Sequence, residues 1–229
     1  MKALIFGASG GLATALADSL LARNWKVDLV TRGAKAPAVK QRFASSIAEG
    51  RTQVFDISGK YSDFTPTRSY RAYFFPQALF SRAPLAATDD ATIEREIEVG
   101  LADLIRLTRK LLTLQPTQAD TRCDYCFVGS TSAYAGFAHT SVYCAVKHGL
   151  LGFVRALNDE YARTDTRFWM FSMGTMNTEM GRKLTEQDPS SFLQPVDVAE
   201  RIANTICSGS NLFEPEVVIR RRTIRFLEK

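Results

Sequence analysis

Ala3-Leu4-Ile5-Phe6-Gly7-Ala8-Ser9-Gly10-Gly11-Leu12-Ala13 decides the fold. Four consecutive apolar residues suit a strand buried on both faces, and the glycines at 7, 10 and 11 end it in a tight turn. Leu12, Ala15, Leu16, Ser19, Leu20 and Arg23 then recur at three- and four-residue spacing, the period of a helix, with Asn24 as its stop. A glycine-rich turn between strand and helix leaves unpaired backbone N–H groups at the positive end of a helix dipole. Many such turns are purely structural, but the place of this one after the first strand favours a bound nucleotide phosphate, with Gly7, Ser9, Gly10, Gly11 and Leu12 as its cradle.

Outward from this turn the two periods keep alternating. Strand patterns lie at Val27 to Val30, Gln53 to Phe55, Tyr70 to Phe75, Tyr125 to Val128, Arg167 to Phe171 and Glu216 to Arg220. Helical patterns lie at Ala38 to Ala48, Asp89 to Leu114, Ser141 to Tyr161 and Val196 to Ile206. Strands joined through helices this long require right-handed crossovers and a parallel sheet. The expected fold is α/β: a single Rossmann-type, doubly wound domain over residues 1–229, about seven strands with helices on both faces.

Composition agrees. With 45% apolar and 23% charged residues in 229, the chain is an ordinary globular protein, and disorder, collagen and coiled coil are excluded. The net charge of +5 concentrates at the end of the chain, where Arg220, Arg221, Arg222, Arg225 and Lys229 face one acid, Glu228. This is expected to be a solvated tail, with a subunit contact or an anionic substrate as the alternatives; no nucleic-acid motif accompanies it. Four scattered cysteines suit a reducing compartment. Cys123-Asp124-Tyr125-Cys126 has redox or half-zinc spacing but no second pair, so no metal site is expected. Lys2 and Ala13-Thr14-Ala15 imitate an export signal, yet Gly7, Gly10 and Gly11 break the apolar stretch, and no apolar run approaches the roughly 18 residues of a membrane span. The expected location is the cytoplasm.

The chemistry lies further along. Tyr143-Cys144-Ala145-Val146-Lys147 puts a phenol and an ammonium four residues apart, on one face of the expected helix. Ser130 stands thirteen residues earlier, at the carboxyl end of a strand, where doubly wound sheets place their ligands. The glycine-rich turn, this serine and the Tyr-x-x-x-Lys together resemble the short-chain dehydrogenase/reductase family from about Lys2 to Thr178.

The resemblance implies hydride transfer between a nicotinamide and a small carbonyl or alcohol substrate, with Ser130, Tyr143 and Lys147 catalytic. Tyr143 would be the general acid or base, Lys147 would hold the ribose and depress the phenol's pKa, and Ser130 would orient the substrate oxygen, with Ser132 the less favoured candidate. A phenol must drop by about 3 units, about 4 kcal/mol, to work near neutrality, and a cation some 4 Å away supplies that order. Asp56 would meet the adenine, or serve as a turn residue; Gly174 and Thr178 would meet the cofactor's carboxamide or diphosphate. Met173, in place of the family's proline, would loosen the backbone there. Phe137, His139, Met176, Met180 and Phe192 are candidates for the substrate pocket or for packing, and residues of about 178–195 form a short substrate-loop segment. Arg32 ends the second strand where an acid would select NAD(H); NADP(H) is therefore the expected cofactor, with NAD(H) the alternative. A homodimer or homotetramer is implied, through the helices from Asp89 and Ser141.

Three departures bear on the activity. Ala13 replaces a glycine, Phe75-Pro76-Gln77-Ala78 replaces Asn-Asn-Ala-Gly, and Gly100 replaces the asparagine of the family's proton relay. If Gly100 has merely lost that asparagine, Gly100→Asn is expected to leave the rate unchanged or raise it. The departures also suggest the alternative of a non-enzymatic NADP(H)-binding sensor or scaffold, and a sugar-nucleotide epimerase is disfavoured because the chain lacks room for its substrate domain.

Overall fold

Strand β1 (Lys2–Phe6), buried along Ala3 to Phe6, lies in the interior of the sheet. The structure, a computed structural model, describes residues 1–114, 122–208 and 212–227. Glu228 and Lys229 of the basic tail lie outside the described residues. Helix α1 (Gly11–Ala22) ends at Asn24, whose φ of 60° makes it the left-handed stop that the sequence indicates. There follow β2 (Lys26–Arg32), the short helices α2 (Ala36–Arg42) and α3 (Ala44–Ala48), β3 (Thr52–Ile57) and β4 (Ala72–Phe75). Helix α4 (Asp90–Ile97) passes through a π turn (Glu98–Ala102) into α5 (Asp103–Leu114). Then come β5 (Cys123–Ser130), α6 (Ser141–Glu160), β6 (Thr166–Met173), α7 (Pro195–Cys207) and β7 (Glu216–Ile219).

The seven strands form one parallel sheet in the order β3-β2-β1-β4-β5-β6-β7. The order reverses between β1 and β4, and ligands of such sheets bind outside the carboxyl ends of the strands at that point. Strand alternation feeds two cores. Ala3 and Ile5 meet α1 and α7 through Leu16, Leu20, Val198 and Ile202 on one face; Leu4 and Phe6 meet α5 and α6 through Leu104, Leu107, Leu150 and Val154 on the other. At the opposite, amino edge of the sheet, buried Asp124 accepts hydrogen bonds from Arg71, from Arg167 at 2.7 Å and from Trp169 at 2.8 Å, so its charge is compensated.

Three local expectations change, and the cysteine pair is placed. Cys123 and Cys126 lie inside β5 and point into opposite cores, because three residues along a strand reverse the face; the two thiols cannot meet. The long helix is interrupted by the π turn. Met173 does not loosen the backbone but ends β6, buried and paired with Ile219 of β7. The basic tail is not simply solvated. It folds back over residues 186–191 through Asp188 N–H to the Arg225 carbonyl at 2.9 Å and Leu227 N–H to the Glu186 carbonyl at 3.0 Å. No helix among the described residues is long and apolar enough to cross a membrane.

Candidate active site

The glycine turn is built for close approach. Gly7 has φ +64°, and a Cβ there would lie 3.3 Å from Cβ of Gln77. Gly10 donates its N–H to the Gly7 carbonyl at 3.1 Å, and no side chain caps α1, so the helix start is presented bare. Ser9, Gly10 and Gly11 are exposed while Leu12 is buried beneath them. A Cβ on Gly11 would lie 3.3 Å from Cγ2 of Thr178, which brings that residue to the mouth of the turn. Ala13 is accommodated, buried in the core.

At the end of β2 the exposed Arg32 lays its guanidinium 4.7 Å from the ring centroid of Tyr61. Asp56 is exposed in β3 and accepts the Gly33 N–H at 2.8 Å, so it ties down the loop after Arg32. Gln77, which the sequence marked only as a departure, is buried, and neither atom of its amide has a hydrogen-bond partner among the described residues. A buried unpaired amide is costly, and its place against Gly7 directs attention to a ligand.

Ser130, Tyr143 and Lys147 come together at the carboxyl edge of β5. Ser130 is the last residue of that strand, and its Oγ accepts the Ser132 N–H at 3.1 Å. The Ser130 hydroxyl faces the Tyr143 phenol and acts to lower the phenol's pKa. Burial outweighs that influence and pushes Tyr143 up to about 12, with the charge of Glu96 acting in the same direction. Lys147 is buried, donates to the Val128 carbonyl at 3.0 Å and holds its ammonium 5.6 Å from the Tyr143 ring centroid. Burial brings its pKa down to about 8. In both groups desolvation is the largest influence.

The flanking residues divide. The Gly174 N–H donates to the Ile219 carbonyl at 2.9 Å, extending the β6–β7 pairing, so this donor is already used. Thr178 accepts the Gly181 N–H at 3.2 Å. Phe137 and His139 are exposed, Met176 and Met180 half-buried. Phe192 is buried beneath Arg221, whose guanidinium stands 5.5 Å from its ring centroid, so this phenylalanine is packing. The Phe80 and Tyr143 rings meet nearly perpendicular with centroids 5.0 Å apart, a contact with no signal in the sequence. Gly100 is buried at the π turn, and a Cβ there would lie 2.6 Å from Cγ1 of Val146 in α6. The glycine thus lets two helices approach, and an asparagine there would require Val146, β-branched and stiff at χ1, or one of the helices to shift.

The short-chain dehydrogenase family model matches residues 78–189. Carbonyl reductase family member 4 of Xenopus tropicalis is 25% identical over 208 residues, covering 86% of this chain and 87% of its own. The 3-oxoacyl-[acyl-carrier-protein] reductase FabG of Escherichia coli is 24% identical over 217 residues, covering 89% and 87%. In fold, the alcohol dehydrogenase of the archaeon Thermococcus sibiricus, solved with 5-hydroxy-NADP, superimposes with a TM-score of 0.79 at 18% identity over 96% of both chains. With the parallel sheet, its strand order and the Ser130, Tyr143 and Lys147 constellation, these matches make the chain similar to the short-chain dehydrogenase/reductase family of oxidoreductases.

Proposed function

We propose that the protein is an NADP(H)-dependent oxidoreductase that interconverts a carbonyl compound and its alcohol, with Tyr143 as the acid of reduction and the base of oxidation. The observation that carries the reading is the convergence of the Ser130 hydroxyl, the Tyr143 phenol and buried Lys147 at the carboxyl edge of the sheet. A half-buried phenol that keeps its proton is suited to donate it as a carbonyl oxygen gains negative charge. Ser130 orients that oxygen, and Lys147 has ammonium protons left over after its bond to Val128 with which to hold ribose hydroxyls and stabilise the phenolate that donation leaves.

The remaining residues fit a dinucleotide phosphate. The bare turn at Gly7, Ser9, Gly10, Gly11 and Leu12 would take the diphosphate with Thr178, Asp56 would lie by the adenine, and Gln77 would pair its orphaned amide with a ribose or phosphate oxygen. Gly174 would contribute close approach rather than its N–H. When bound, the nicotinamide supplies or accepts the hydride. Arg32, exposed and free of any ion pair among the described residues, supports the choice of NADP(H), as does the NADP analogue in the archaeal structure. Residues 1–229 act as one domain, with 178–195 as the substrate segment.

The test is a panel of aldehydes, ketones and alcohols with NADPH, followed by reduced-nicotinamide absorbance. Tyr143→Phe should still bind NADPH while turnover falls by roughly 10²–10⁴-fold. Turnover that survives this substitution would overturn the assignment.

A further inference from the structure

Glu96 is not among the residues given a role above, yet its position is unusual for a carboxylate. Its side chain is 4% exposed within α4; Oε1 accepts the backbone N–H of Ser81, and Oε2 has no hydrogen-bond partner among the described residues. Burying a carboxylate oxygen without a partner is costly, and a surface glutamate would avoid it by a rotamer change. Ser81 follows Phe80, whose ring meets that of Tyr143.

The helices explain how Glu96 reaches this place. The α4–π–α5 helix runs parallel to α6 in step with it: Gly100 stands against Val146, and Leu101 packs 3.0 Å from where a Gly149 Cβ would be. Glu96, one turn before Gly100, is therefore level with Tyr143, one turn before Val146 and Lys147. The π turn begins just after it.

We propose that Glu96 is a positioning residue for the reaction: its carboxylate clamps the Phe80–Ser81 segment that walls Tyr143, and its charge sets the electrostatic field in which the phenol gives up and regains its proton. This rests on the reading of Tyr143 as the proton donor.

The groups facing the pair come from three elements. Lys147 and Cys144 lie on α6, Ser130 ends β5, and Lys183 of the substrate segment faces Glu96 while donating to the Phe80 carbonyl at 3.3 Å. The negative charge of Glu96 raises the phenol's pKa and opposes the Ser130 hydroxyl, so ionised Glu96 keeps Tyr143 protonated further into alkaline solution. Burial raises the pKa of Glu96 itself, while the Ser81 bond and Lys183 restrain the rise.

Glu96→Gln separates clamp from charge, because the amide oxygen can still accept the Ser81 N–H. The phenolate absorbance of Tyr143, isolated as the part of an alkaline difference titration that Tyr143→Phe removes, should move to lower pH by about one unit in Glu96→Gln. Glu96→Asp, which keeps the charge, should titrate close to wild type. The alkaline limb of carbonyl reduction should shift in the same direction as the titration, with kcat affected more than KM. Glu96→Leu, losing clamp and charge together, should raise KM as well. Superimposed titrations for wild type and Glu96→Gln would overturn the inference. Because the titration needs no substrate, its result is distinguishable from failure of the catalytic reading, which full turnover by Tyr143→Phe would signal.

Discussion

A lysine buried to 1% exposure with one carbonyl partner costs stability for as long as it stays charged. Folded Lys147 titrates at about 8, below the 10.5 of an unfolded lysine. Between these values the unfolded chain binds more protons, so stability rises with pH across that window, by about 3 kcal/mol if this group acts alone. Above it the raised pKa of Tyr143 reverses the slope, because the folded state then holds the extra proton. Lys147→Met should flatten the rise between pH 8 and 10.5, raise Tm at neutral pH and weaken NADPH binding. Thermal melts across pH check the first two and calorimetry the third; a wild-type melt flat over that window would refute the assignment of strain to this residue. Tyr143 and Lys147 were legible in the sequence because four-residue spacing fixes a helix face whatever packs on it. Gln77 and Glu96 were not. What isolates a polar side chain is the chain folded over it, and neither Gly7 nor Ser81 announces that from its own position.

Elements follow the same logic one level up. Periodicity revealed α6 and the sheet order's alternation, since both depend on near neighbours in sequence. The π turn at Glu98–Ala102 depends instead on how closely α6 approaches, and only the structure shows that Gly100 serves this contact. Gly100→Asn should therefore destabilise the protein by roughly 1–3 kcal/mol, the cost of overpacking, rather than restore a relay. An unchanged denaturation midpoint would show that α6 can retreat freely. The end of β2 supplies a prediction of cofactor choice. Arg32 rests on the Tyr61 ring, and Asp56 holds the following loop through Gly33, so the guanidinium is presented on a fixed base. Arg32→Asp removes a bidentate donor to the 2′-phosphate and introduces an acid for a 2′-hydroxyl; NADPH affinity should fall roughly 10- to 100-fold, with NADH favoured. Equal affinities of the wild type for both cofactors in calorimetry would argue against this role.

For the whole molecule, the apolar stripe of the α4–α5 helix divides in two. Leu104 and Leu111 complete the core beneath the sheet, whereas Ile97 and Ile105 remain exposed. Alongside, α6 turns Ala145, Gly149, Gly152 and Ala156 outward, a strip too small to keep another helix at a distance. Neither division could be read from the stripe alone, because one apolar face of a helix looks the same whether it meets its own sheet or a second subunit. The exposed half is what a partner copy would bury, and the expected state is a dimer or tetramer assembled through these helices. Gly152 offers a clean probe, since a Cβ there meets nothing within 4 Å among the described residues. Gly152→Arg should leave the fold intact, because replacing a helix glycine is mildly favourable, and should split the assembly by placing a charge in its apolar centre. Sedimentation velocity at micromolar concentration should give an oligomer for the wild type and a monomer for the variant. A monomeric wild type would refute the assembly, and an oligomeric variant would move the interface away from α6.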